Sequence, residues 1–348
     1  MTIAAPPPPA AAPAGPAARG AGLVLAAAVV WSAGGLFVRL LGSLDPWTVV
    51  CWRAGCAALF LLGFMLWRDG PRGTIGLFRA MGGAGLAVAL LFGFGSTAFV
   101  VALEHTTVAN ILLIQAGVPL LAALGGRIFL GEAVSRITWA AIAAVLAGVA
   151  VMVSGSLTGG VAPVGDALAV AIALGEPIAG PTWAAIAATL LGVAVMVSGG
   201  LGGAGASPTG DLLALTIAVA FALATVITRA AARVPMVPAV CLAAVAAGLF
   251  AATRAPGLAV APRDLGLLAG FGAGSFGLGL ALFVTGARMV PAATAALVGL
   301  AETVLGPFWV WLAWGETPSA RTLLGGGIVL AALLAHLAWT RGGLRRRG

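Results

Sequence analysis

Residues 286–316 read GARMVPAATAALVGLAETVLGPFWVWLAWGE, and from Pro291 to Trp314 the sole ionisable side chain is Glu302. A helix rises 1.5 Å per residue, so these 24 residues extend about 36 Å, more than the roughly 30 Å of a hydrocarbon core. The stretch predicts a membrane-crossing helix with a carboxylate near its middle.

The rest of the chain repeats that pattern. Only 18 basic and 10 acidic residues occur among 348, against 61% hydrophobic residues and 52 glycines, whereas soluble domains carry about 25% charge. Further apolar runs bounded by Arg, Asp, Pro or Gly lie near 21–40, 47–67, 82–103, 107–129, 137–155, 182–199, 211–230, 236–253, 264–286 and 321–340. The expected fold is all-α: a polytopic transmembrane helical bundle, with the bilayer as its main solvent. The abundant Gly and Ala, as in Gly82, Gly83, Gly93, Gly95 and the run from Gly270 to Gly279, suit close approach of helix backbones.

Charge excludes several functions. The net charge of +8 comes wholly from arginines spread over loops and the C-terminal tail, so no nucleic-acid surface is expected. Cys51 and Cys56 stand five apart on one helix and face different directions, which implies neither a disulfide nor a metal site. Two G-x-G-x-x-G spacings, Gly200/Gly202/Gly205 and Gly272/Gly274/Gly277, follow no strand of a βαβ unit and hold no dinucleotide. With no Walker lysine, H-E-x-x-H pair or nucleophile elbow, neither an enzyme nor a cofactor is expected.

Arginine also sets orientation. With the N-terminus inside, Arg19, Arg68, Arg72, Arg79, Arg127, Arg136, Arg229, Arg233, Arg288, Arg341, Arg345, Arg346 and Arg347 face the cytoplasm, provided residues 130–210 leave the parity of crossings unchanged. Both termini are then cytoplasmic, in a multi-pass protein of the cytoplasmic membrane. Residues 1–20, almost wholly Ala and Pro, form an expected disordered tail, and residues 341–348 a basic one.

Residues 102–132, ALEHTTVANILLIQAGVPLLAALGGRIFLGE, match 286–316 in length and in the closing Gly-Glu, Gly131–Glu132 against Gly315–Glu316. Ala109 aligns with Ala293 and Leu113 with Leu297. Under the arginine topology the two copies run in opposite directions, an inverted repeat of the kind that builds alternating-access sites.

With WSAGGLFVRLL from Trp31, DPWTVVCWRAG from Asp45, TTVANILLIQAGVPLLAAL from Thr106, RIFLGE and VPAATAALVGLAETVLGPFWVWLAWGE from Val290, the chain resembles the EamA-type transporters of the drug/metabolite transporter superfamily. The resemblance implies ten helices in two inverted five-helix halves, at 21–155 and 182–340. It also implies efflux of a small molecule, amino acid-like or drug-like, as the activity. A small-molecule substrate, the lipid bilayer and a coupling proton are the expected partners, and a homodimer stays open.

One feature departs from that pattern. TWAAIAAVLAGVAVMVSG from Thr138 recurs almost verbatim from Thr182, each time after Leu-Gly-Glu. A block of about 44 residues is repeated in tandem, with 156–181 as the inserted segment. An added helical pair, a displaced copy and a sequence-assembly artefact all fit. A cavity impaired by the insert would leave a non-transporting scaffold or sensor, the alternative to a transporter.

Glu302 leads the candidate residues, as a carboxylate at membrane depth is costly unless protonated, paired or facing a wet cavity. It is a coupling or substrate-amine site, or else a packing contact. Arg53, inside the second span, pairs with Glu302, binds an anionic substrate, or snorkels. Trp31 and Ser32 on the first helix, with Asn110 and Gln115 on the fourth, line a cavity or join helices by hydrogen bonds. Pro119 bends its helix and frees a carbonyl. Phe308, Trp309, Trp311 and Trp314 read as an interfacial belt, His105 and His336 as loop or interfacial residues, and Glu132 and Glu316 as turn residues near Arg127, Arg136 and Arg321.

Overall fold

A computed structural model describes residues 16–42, 44–105, 111, 114–153, 208–315 and 320–345. Among these, six helices are long and apolar enough to cross a membrane, and four shorter apolar helices accompany them. Side chains such as Trp67, Leu59, Phe129 and Leu249 turn outward, 83%, 72%, 68% and 66% exposed, as a lipid-facing surface permits.

The first half comprises α1 (Pro16–Ser32), α2 (Gly34–Leu40), α3 (Pro46–Ala80), α4 (Gly82–His105), α5 (Val118–Leu130) and α6 (Arg136–Val153). The second comprises α7 (Pro208–Ala230), α8 (Val237–Ala252), α9 (Pro262–Ala269), a π-helical segment (Gly270–Leu278) and α10 (Gly279–Ala287). It ends with α11 (Ala292–Gly299), α12 (Ala301–Trp314) and α13 (Ala320–Arg345).

Local sequence explains the boundaries. Asp45 caps α3, accepting from the Trp47 and Thr48 N–H groups at 2.9 and 3.0 Å, with Pro46 in the first turn. α3 runs well past the expected end near 67 because the chain resumes helix directly after Gly70, whose φ of 68° suits glycine. Gly131 and Gly315 end α5 and α12 in the left-handed conformation, φ 64° and 68°; the paired Gly-Glu endings begin on helix caps.

The expected N-terminal tail is shorter than read. α1 already begins at Pro16, since proline fits a first turn and Gly20 brings α1 against the Gly286 backbone. α13 continues to Arg345. The expected span at 182–199 and the inserted segment lie outside the described residues.

The direction of each helix resolves the parity condition. Glu132, just beyond α5, bonds Arg229 in the last turn of α7, so those two helix ends meet. α6 follows α5 after a five-residue connection, packs in the same cluster and runs about 27 Å away, 18 residues at helical rise. α6 therefore ends, and α7 begins, at the opposite end of the bundle. Short connections then return the chain so that α1 starts and α13 finishes at the end that holds Glu132. α5 and α12 cross in opposite senses.

Candidate functional site

Each copy of the repeat carries a tight turn inside the bundle, just ahead of α5 in the first half and between α11 and α12 in the second. Glu132 and Glu316 differ by 184 in number, a register that carries Ala116 onto Leu300. In the first half a tight turn precedes α5: Gly117 N–H donates to Ile114 at 3.0 Å, and Leu120 N–H to Gly117 at 3.1 Å. In the second, Leu300 N–H donates to Leu297 at 3.2 Å and Thr303 N–H to Leu300 at 3.1 Å. Each break places a helix N-terminus, with its partial positive charge, in the interior.

Pro119 does not bend a continuous helix as expected. It sits in the first turn of α5, where its missing N–H has no partner to lose, and the break lies just ahead of it. The Gln115 side chain, half-buried at that break, bonds no described residue. Asn110 and Glu316 lie outside the described residues.

Glu302 occupies the first turn of α12. Leu300, Ala301 and Thr303 around it are buried, whereas Glu302 keeps part of its surface open. A carboxylate is favoured at a helix N-terminus, and among the described residues none pairs with it. Seven residues on, and so on the same helix face, Trp309 donates its Nε1 hydrogen to Ser32 Oγ at 2.7 Å. Ser32 in turn donates to the Val29 carbonyl at 2.6 Å. One turn earlier on α1, Ala28 shares a cluster with Leu300 and Ala301. The Glu302 face of α12 thus lies along the Ser32 face of α1. Trp309 departs from the belt reading, while Phe308 and Trp311, each 44% exposed, keep to the surface.

Trp31 faces an aromatic cluster drawn from four helices. Its ring lies 5.3 Å from Phe283 and 6.2 Å from Phe221, Phe221 lies 5.1 Å from Phe283, and Phe92 meets Phe221 edge-on at 5.5 Å. Such pairs contribute about 0.5–1.5 kcal/mol each beyond burial. Gly279 makes room, since a Cβ there would overlap the Trp31 indole. A register of 190 residues carries Arg39 onto Arg229, Cys51 onto Cys241 and Trp31 onto Phe221, so this cluster pairs equivalent positions of the two halves.

Arg53 stands apart from Glu302, so that pairing is not formed. Nor does it snorkel: its Nη2 donates to Ser96 Oγ on α4 at 2.8 Å, and its guanidinium lies 4.3 Å from the Phe276 ring and 5.3 Å from Phe271. Its Nε is buried without a hydrogen-bond partner. Ser96 is 14 residues into α4 and nine from its end, which keeps the cation well inside the bundle. Both rings belong to the π-helical segment, a conformation frequent at functional sites.

Glu132 and His336 also depart from expectation. Glu132 reaches neither Arg127 nor Arg136 but Arg229 of the other half, Nε to Oε1 at 2.7 Å. Nearby, desolvation holds Arg288 below the ordinary guanidinium value. His105 is exposed, but His336 is 1% exposed and lies 3.5 Å from Thr294 Oγ1. Ser96, Phe221 and Phe283 were not singled out from sequence, and Trp309 was placed in the belt; of these, Phe221 was open to detection through the 190-residue register.

The EamA-like transporter family matches residues 18–154 and 208–337. A solved crystal structure, titled only as that of a protein, covers 90% of this chain and 94% of its own length, with 18% identity and a TM-score of 0.64; at that identity it supports the fold alone. No curated protein matches the chain.

Proposed function

The chain belongs to the EamA-like transporter family, and on that premise we propose that it exports a small metabolite or drug-like molecule across the cytoplasmic membrane by alternating access. That it is a multi-pass membrane transporter follows from the family and the apolar helices. The observation that carries the finer reading is the pair of interior helix breaks, within one residue of the same register, with Glu302 in the first turn beyond the second. Discontinuous helices facing a common interior are how many secondary transporters make a midplane site.

Glu302 is the group that binds a coupling proton or a substrate amine, with Trp31, Ser32 and Gln115 beside the same interior. A cation cannot be left unbalanced in a low-dielectric bundle without penalty. Arg53, held by Ser96 and two aromatic rings, therefore suits the anionic group of a substrate. The end of the bundle that holds both described termini also carries Arg68, Arg72, Arg79, Arg127, Arg136, Arg229 and Arg288, and this excess supports a cytoplasmic assignment for that end.

The test is export from loaded cells, comparing a deletion strain with strains carrying the parent gene or Glu302→Gln. A broad set of amines, amino acids and toxic compounds serves as the screen. The parent restores export of at least one compound, and Glu302→Gln exports it at least about tenfold more slowly. Equal export with and without the parent gene, across the screen and with the protein present in the membrane, would overturn the reading.

A further inference from the structure

Where the two halves meet at the end holding the chain termini, one carboxylate fastens both of them. Glu132 turns back over α5, its own N–H donating to the Gly126 carbonyl at 3.1 Å. Its Oε1 accepts from Arg229 Nε at 2.7 Å, and its Oε2 accepts from the Ala292 N–H at 3.2 Å. Arg229 also donates from Nη1 to the Arg288 carbonyl at 2.9 Å, and Arg288 donates from Nε to the Ala232 carbonyl at 2.7 Å. A first-half side chain thereby holds the end of α7 and the start of α11.

The backbone beneath is built for this approach. A Cβ on Gly125 would stand 2.9 Å from Val226 Cγ2, and one on Gly126 would stand 3.1 Å from Glu132 Oε2 and 3.6 Å from Ala292 Cβ. Val118 and Ala122 of α5, Ala222 and Val226 of α7, and Ala292 and Ala296 of α11 form one buried cluster. From the interior break to Glu132, the halves are in contact on this side. α11 begins at Ala292 and leads directly to the break at Leu300 and to Glu302.

We propose that Glu132, Arg229 and the Ala292 N–H form a latch that shuts this end of the transport pathway and opens once in each cycle. The proposal rests on the reading of the chain as an alternating-access transporter. With the Arg229 and Glu132 side chains 30% and 19% exposed, the pair is strong enough to bias closure and weak enough to release. Because Glu132 grips the first residue of α11, a shift of that helix on loading at Glu302 is transmitted to the latch.

The test measures access to the interior directly. Cys51, Cys56 and Cys241 are replaced by alanine, Gln115→Cys supplies a reporter at the first-half break, and an impermeant maleimide is applied to membrane vesicles from the latch side. Glu132→Gln and Arg229→Gln each raise the labelling rate about fivefold, the size expected for loss of a partly exposed pair. The reversal Glu132→Arg with Arg229→Glu returns it toward the parent rate. Glu132→Asp keeps the charge but withdraws it by one methylene, and gives an intermediate rise even if Glu132→Gln fails to fold. Parent-rate labelling in variants that elute as folded protein would overturn the latch, and so would a reversal that labels as fast as the single variants. Faster labelling in a chain that moves no substrate would keep the latch and remove the transport reading instead.

Discussion

The two interior breaks share a geometry and differ in chemistry. By the 184-residue register, Gly117, Val118 and Pro119 beyond the first break correspond to Ala301, Glu302 and Thr303 beyond the second. Both breaks present a helix N-terminus to the interior, yet only the second places an acid there. The 190-residue register reverses the imbalance, since Arg53 of the first half corresponds to Ala243 of the second. Repetition supplies the scaffold, and the unrepeated residues supply one interior anion and one interior cation.

Removing the acid breaks the comparison most directly. Glu302→Gln makes the second break resemble the first, and flux is expected to fall at least about tenfold, the 1.4 kcal/mol scale of one lost charged contact. Val118→Glu adds an acid at the equivalent position and does not rescue Glu302→Gln, because α12 and not α5 lies along Ser32. Transport assays of the single and double variants check both statements.

Next comes the cation. Arg53→Gln is expected to raise KM for an anionic substrate by about tenfold, and Arg53→Lys is not expected to restore it. An ammonium cannot reproduce a planar fork that bonds Ser96 while stacking on Phe276 and Phe271. KM and kcat measured separately distinguish a lost binding contact from a slower cycle.

Packing effects are smaller. Gly279→Ala, which drives a Cβ into the Trp31 indole, is expected to destabilise by about 1–3 kcal/mol. Trp309→Phe deletes the bond to Ser32 and costs about 1 kcal/mol. Gly95→Ala serves as the contrast, because nothing lies within 4 Å of the added carbon and the change stays within about 0.5 kcal/mol. Thermal unfolding of the purified protein in detergent ranks the three.

Much of the scaffold was readable from the amino acids. Apolar length located the spans, and the matched Gly-Glu endings at 131–132 and 315–316 found the repeat whose breaks and caps frame the interior. Glu302 stood out because a lone acid inside a long apolar run has few structural explanations. The aromatic cluster was not readable in the same way. In a membrane protein both the lipid-facing and the buried faces are apolar, so Phe221 and Phe283 carry no periodic signature that separates them from Phe94 or Phe129. The same ambiguity hid Trp309, which turns inward to Ser32 while Trp311, two residues on, faces outward. The Glu132–Arg229 bond joins residues 97 apart, and local sequence pointed instead to the nearer Arg127 and Arg136. Arg53 was found but its partners were not, since Ser96 and Phe276 meet it only through the packing of α4 and the π-helical segment on α3.

The central claim is that Glu302, at the interior end of α12, is the group through which this bundle couples movement of its substrate. Purified protein in liposomes, loaded with the compound found by export screening and subjected to pH gradients of either sign, tests it. The parent is expected to reverse net flux when the gradient is reversed, while Glu302→Gln follows the substrate gradient alone. Identical flux and identical gradient response in the two proteins would contradict the account.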